Sequence, residues 1–122
     1  MGQFKPVRHL ALVVEDDEYQ RDLVATLLEE SDFDVIRCES AEAAELVVTK
    51  FGDAIALVFT DVNLAGRMTG TELATDLTQH FPDMTVIITS GRAVAAIPSG
   101  AVFMPKPWQA LEILKAAERV TH

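Results

Sequence analysis

Residues 55–61 read IALVFTD, an apolar and β-branched run that ends directly on a carboxylate. Three other stretches share this form. Leu10–Val14 stops at Glu15, Asp16 and Asp17; Val86–Thr89 stops at Ser90; and Ala101–Met104 stops at Lys106, just past Pro105. Short apolar runs separated by helical stretches read as parallel strands, and open parallel sheets place their ligands beyond the carboxyl ends of the strands. Acids, a hydroxyl and an amine are therefore expected to meet at one sheet edge.

Working outward, His9–Val14 reads as the first strand, and Asp17 or Glu18 opens a helix whose Leu23, Val24, Leu27 and Leu28 share a face. Ser31 and Asp32 end it. Asp34–Cys38 is a second strand, and Ser40 caps a helix through Phe51, with Ala44, Leu46 and Val47 inward and Gly52 as its stop. Ile55–Thr60 is the third strand, followed by a loop over Asp61–Thr69 and a helix from about Thr71 to His80, closed by Pro82. Thr85–Thr89 and Ala101–Met104 are the fourth and fifth strands. Trp108–Val120 is the last helix, with Leu111, Leu114 and Ala117 inward. This alternation predicts an α/β fold, a three-layer α/β sandwich around a five-stranded parallel sheet. The crossover Gly91–Gly100 is short for parallel strands and offers at most one helical turn at Ala93–Ile97.

With 122 residues, one domain can bury its own core without a metal or disulfide staple. The expected division is a partly disordered head over residues 1–8 and one domain over residues 9–122. The formal net charge is −9, from 19 acidic against 10 basic residues, which disfavours direct binding to nucleic acid or an anionic membrane. Cys38 is the only cysteine and His9, His80 and His122 are scattered, so an intrachain disulfide and a zinc-type cluster are both excluded. A cytoplasmic protein with no membrane span is expected.

Carboxylates about 4 Å apart repel by roughly 4 kcal/mol at an effective dielectric near 20, so Glu15, Asp16 and Asp61 need a cation between them. Hard oxygen ligands favour Mg²⁺. Lys106 adds a fixed positive charge suited to phosphoryl oxygens. A carboxylate nucleophile at Asp61, a hydroxyl at Ser90, a lysine and a divalent ion form a phosphoryl-transfer constellation. Taken singly, the same residues have plainer readings: an acidic helix start, a turn aspartate, a Ser-Gly turn and a solvated lysine.

Together they give the chain its resemblance to the receiver domain of bacterial two-component response regulators, over His9–Val120. The residues that carry it are Val13–Asp17 after the first strand, Asp61-Val62-Asn63 after the third, Gly70 opening the third helix, Ser90-Gly91 after the fourth, and Lys106-Pro107 after the fifth. The resemblance implies flavodoxin-like topology with strand order 2-1-3-4-5. It implies that Asp61 is the phosphoacceptor, that Glu15 and Asp16 are the acidic pair, and that Asp61 and the main-chain carbonyl of Asn63 complete the Mg²⁺ shell. Ser90, rather than Thr89, takes the switch hydroxyl position, Lys106 pairs with the phosphate across a cis bond to Pro107, and Phe103 occupies the switch aromatic position. Leu64-Ala65 replaces a common Met-Pro, the Asp61–Gly70 loop is one residue longer than usual, and the helix between the fourth and fifth strands is short or absent.

The implied function is a phosphorylation switch that receives a phosphoryl group from a histidine kinase or histidine phosphotransfer protein and then changes its binding to an unidentified downstream protein. It implies self-catalysed phosphorylation and dephosphorylation only, not an enzyme with a separate substrate, acting as a monomer or weak dimer. Three alternatives stand beside it. A haloacid-dehalogenase-like phosphatase shares the aspartate, hydroxyl, lysine and Mg²⁺, but needs a general acid where Asn63 stands. A mononucleotide or flavin module would have Glu15–Glu18 facing its phosphate. The third is a receiver-like module acting by unphosphorylated protein contact.

Overall fold

Each apolar run that ends on a polar residue is a strand in the computed structural model, which describes residues 8–94 and 96–121. The elements in chain order are β1 (His9–Val14), α1 (Glu18–Glu30), β2 (Phe33–Cys38), α2 (Ala41–Phe51), β3 (Ile55–Asp61), α3 (Gly70–His80), β4 (Thr85–Ser90), β5 (Ala101–Pro105) and α4 (Ala110–Thr121). All strand pairs are parallel, and the sheet order is β2-β1-β3-β4-β5. The head expected over residues 1–8 lies outside the described residues except for Arg8, whose guanidinium bonds Asp34 and the Phe33 carbonyl.

Alternation along the strands builds two cores. Leu12, Val14, Val58, Val86 and Ile88 face α2 and α3, while Ala11, Val13, Leu57, Phe59 and Ile87 face α1 and α4. The helices start where side chains satisfy their free amides. Asp17 accepts from Gln20 N at 2.9 Å and Ser40 from Ala43 N at 3.1 Å. Thr69 and Glu72 form a reciprocal capping box, which starts α3 at Gly70 rather than Thr71.

Three expected core positions are corrected. Leu23, Leu46 and Leu111 are exposed, because the helices dock through narrower rows: Val24, Ala25 and Leu28 on α1, Ala41, Ala44 and Val48 on α2, and Ile113 with Ala117 on α4. Small residues let these helices approach the sheet closely, and that turns the larger leucines outward. The last helix also begins at Ala110, leaving Trp108 before it with its ring edge-on to Phe59 at 6.0 Å.

Gly91–Gly100 crosses from β4 to β5 with no helix among its described residues. Of the turn allowed at Ala93–Ile97, Ala95 lies outside the described residues and the others are irregular. Ile97 packs against the core shared by α2 and α3, and Ala101 N donates to the Pro98 carbonyl at 3.0 Å. A single apolar anchor thus takes the place of a helical face.

Candidate functional site

The strand register decides what meets at the carboxyl edge. Asp61, the last residue of β3, lies opposite Thr89, and Ser90 lies opposite Pro105 at the end of β4. Glu15 follows β1 directly, with its amide on the Cys38 carbonyl at 3.0 Å. The Lys106 amide donates to the Ser90 carbonyl at 2.9 Å, which fixes the start of the loop after β5.

From there the Lys106 ammonium reaches two carboxylates. Its Nζ lies 2.5 Å from Asp61 Oδ2 and 3.3 Å from Glu15 Oε1. Glu15 and Asp61 are both buried, whereas Asp16 beside them is exposed. The remaining oxygens have backbone donors: Asn63 N to Asp61 Oδ1 at 3.0 Å, and Asp17 N to Glu15 Oε2 at 3.1 Å. The Lys106–Pro107 peptide is cis.

Burial pushes the Glu15 carboxyl up to about 7; the Asp17 amide and Lys106 oppose that rise, and Asp16 and the Asp61 charge add to it. Desolvation pulls the Lys106 ammonium down, but its bond to Asp61 and the charges of Asp61 and Glu15 outweigh this and hold it above its usual value. One ammonium therefore faces two buried carboxyl groups, with the exposed Asp16 beside them.

Among the described residues no three carboxylate, imidazole or thiol groups gather closely enough to hold a metal by themselves. Mg²⁺ does not require that, because it keeps several waters and takes one or two carboxylates. The donors Asp16, Asp61 and the Asn63 carbonyl all offer oxygen, and that chemistry fits such an ion.

Ser90 is buried at the strand end and makes no bond to Asp61. Its Oγ accepts from Arg92 N at 3.1 Å, which leaves the hydroxyl proton free to donate. Thr89 directs a buried hydroxyl that has no hydrogen-bond partner. Phe103, paired with Ile88, is half-buried against the core on the α2 and α3 side. It also lines a cavity of about 450 Å³ between β5 and α4.

Two contributors escape the sequence reading. Arg21 on α1 donates to the Glu15 carbonyl at 3.0 Å, and Glu42 on α2 accepts from the amides of Arg67 and Met68 in the loop after β3. Gly70 is a third constraint, because a Cβ there would stand 1.8 Å from the Asp61 carbonyl oxygen.

Residues 11–118 match the response regulator receiver domain family. The chain is 32% identical over 114 residues to the response regulator protein FleR of Pseudomonas aeruginosa, covering 88% of this chain and 24% of FleR. It is 29% identical over 108 residues to the putative two-component response regulator ARR21 of Arabidopsis thaliana, covering 85% of this chain and 18% of that protein. It thus spans a quarter or less of these relatives. Among solved structures, the receiver domain of NtrX from Brucella abortus superposes with a TM-score of 0.78 at 33% identity, covering 90% of this chain and 96% of that one. The receiver domain of the hybrid histidine kinase CckA shares the fold, with a TM-score of 0.79 at 23% identity over 93% of this chain and 99% of that one.

Proposed function

The chain belongs to the response regulator receiver domain family, and on that premise we propose that it is a phosphorylation switch with Asp61 as its phosphoacceptor. The observation that carries this reading is the Asp61 carboxylate itself, buried at the end of a central strand and bonded through Oδ2 to Lys106. Its donor is a histidine kinase or histidine phosphotransfer protein. An Asp61 carboxylate oxygen attacks phosphorus, the P–N bond to the donor imidazole breaks as the new P–O bond forms, and the imidazole nitrogen takes the electron pair. Water later cleaves the acyl phosphate and regenerates the carboxylate.

The residues already in place account for the charge. Lys106 moves from a carboxylate oxygen to a phosphoryl oxygen, and Ser90 turns its free hydroxyl proton to another, beside the Gly91 amide. Asp16, Asp61 and the Asn63 carbonyl would hold Mg²⁺, with Glu15 bonded to Lys106 beside them, and the ion when bound supplies charge neutralisation for the phosphoryl oxygens. Asn63 also speaks against the phosphatase alternative, since its side-chain amide cannot pass a proton to a leaving group. As Ser90 is drawn toward the phosphoryl group, Phe103 repacks against the same core and alters the β4–β5 surface. No described helix is long and apolar enough to cross a membrane.

Incubation with acetyl phosphate and Mg²⁺, followed by intact mass measurement, tests the reading. The wild type is expected to gain one phosphoryl group and Asp61→Asn none. A wild type that stays unlabelled under conditions that label a known receiver overturns it.

A further inference from the structure

We propose that Glu42, in the first turn of α2, is a positioning residue for phosphoryl transfer, holding the Asp61–Gly70 loop in the shape that presents Asn63 to the site. This rests on the reading of Asp61 as phosphoacceptor. The loop is closed at its base, where Gly70 N donates to the Val62 carbonyl at 3.0 Å, but that bond leaves the tip unsupported. Support comes from α2. Glu42 Oε2 accepts from Arg67 N at 2.8 Å and from Met68 N at 3.2 Å, and Ala65 forms a parallel bridge with Ser40.

The fit at the tip is close. Gly66 has φ 101°, and a Cβ placed on it would lie 2.7 Å from Glu42 Oε1, so the loop backbone lies directly over the carboxylate. Successive N–H groups converging on an anion form a nest, and the start of α2 adds its own favourable potential. The amides of Arg67, Glu42 and Met68 hold the Glu42 carboxyl below its usual range. Asn63 lies between this anchor and Asp61, and its own amide donates to Asp61 Oδ1 at 3.0 Å. With both ends of the segment fixed, the Asn63 peptide has one orientation toward the carboxylate. With the tip released, that orientation is lost while Asp61, Lys106 and Glu15 stay in place. Gly66 is where the chain folds back over Glu42.

The test compares the 122-residue wild type, Glu42→Ala and Glu42→Gln. Amide hydrogen exchange of Arg67 and Met68 is measured without metal, and acetyl phosphate labelling is measured across a Mg²⁺ series. Glu42→Ala is expected to lose protection at both amides and to label about threefold to tenfold more slowly at limiting Mg²⁺. Its rate at saturating Mg²⁺ should stay within about twofold of wild type, which separates positioning from general damage. Glu42→Gln keeps an oxygen that accepts both amides and should restore protection and rate. A labelled wild type whose Mg²⁺ dependence is unchanged in Glu42→Ala overturns this proposal alone. An unlabelled wild type overturns the phosphoacceptor reading and this proposal with it.

Discussion

Lys106 Nζ lies 2.5 Å from Asp61 Oδ2, a contact between the ends of β5 and β3 that spans 45 residues of chain. Since β4 lies between those strands, the lysine reaches across it to bond Asp61 and, beyond that, Glu15 on the next strand. The ammonium therefore ties the carboxyl edge of the sheet together mechanically as well as electrically.

Replacing it with an apolar side chain leaves two buried carboxylates facing each other without a cation. Lys106→Met is expected to lower the unfolding free energy of the metal-free protein by about 1–3 kcal/mol, the range for a partly buried pair broken from one side. Adding Asp61→Asn removes the repulsion, so the double variant should be more stable than the sum of the single effects implies. Urea denaturation of the four proteins measures the coupling, and additive losses would show that the contact carries no energy.

Gly70 and Gly91 flank the same site with opposite tolerances. A Cβ on Gly70 would lie 1.8 Å from the Asp61 carbonyl oxygen, whereas one on Gly91 meets nothing within 4 Å. Gly70→Ala must displace either the start of α3 or the Asp61 backbone, and is expected to cost more than about 3 kcal/mol. The melting temperature should fall by roughly 10 °C or more. Gly91→Ala keeps the amide beside Ser90 and should stay within about 0.5 kcal/mol of wild type. Thermal melts of the two variants decide the matter.

That contrast also marks what could be read without coordinates. Glu15, Asp61 and Lys106 were legible because each directly ends an apolar run or follows one within two residues, and parallel strands carry such residues to one edge whatever the intervening helices do. The start of α3 lies one residue before the expected Thr71, at Gly70, because the Thr69 and Glu72 side chains close a capping box around it. Helix faces were harder. The apolar pattern puts Leu46 inward with Ala44 and Leu111 inward with Ala117, and the structure buries both alanines but exposes both leucines. Size alone does not reveal which stripe a sheet will accept. Glu42 and Arg21 had no local signal at all, because their partners are backbone atoms and any residue type could have supplied them.

Glu45 on α2 gives the fold a pH dependence separate from the site. It shares a surface hollow with Val48, Asp76, Leu77, His80 and Phe81, and its Oε1 is buried without a hydrogen-bond partner. Burial pushes the Glu45 carboxyl up, the Asp76 carboxyl adds to this, and His80 opposes it. Two carboxylates cannot bond each other, but one proton between them creates a bond joining α2 to α3. A carboxyl whose folded-state value is raised binds its proton more tightly when folded than when unfolded. Its contribution to stability is therefore complete below the ordinary value of 4.5 and is lost as pH rises through the higher folded-state value. Glu45→Gln removes that ionisation, so the variant should gain stability over wild type at about pH 8 and differ little at about pH 4. Denaturant midpoints for both proteins across that range supply the measurement; a difference that stays constant with pH would show that the pair holds no proton.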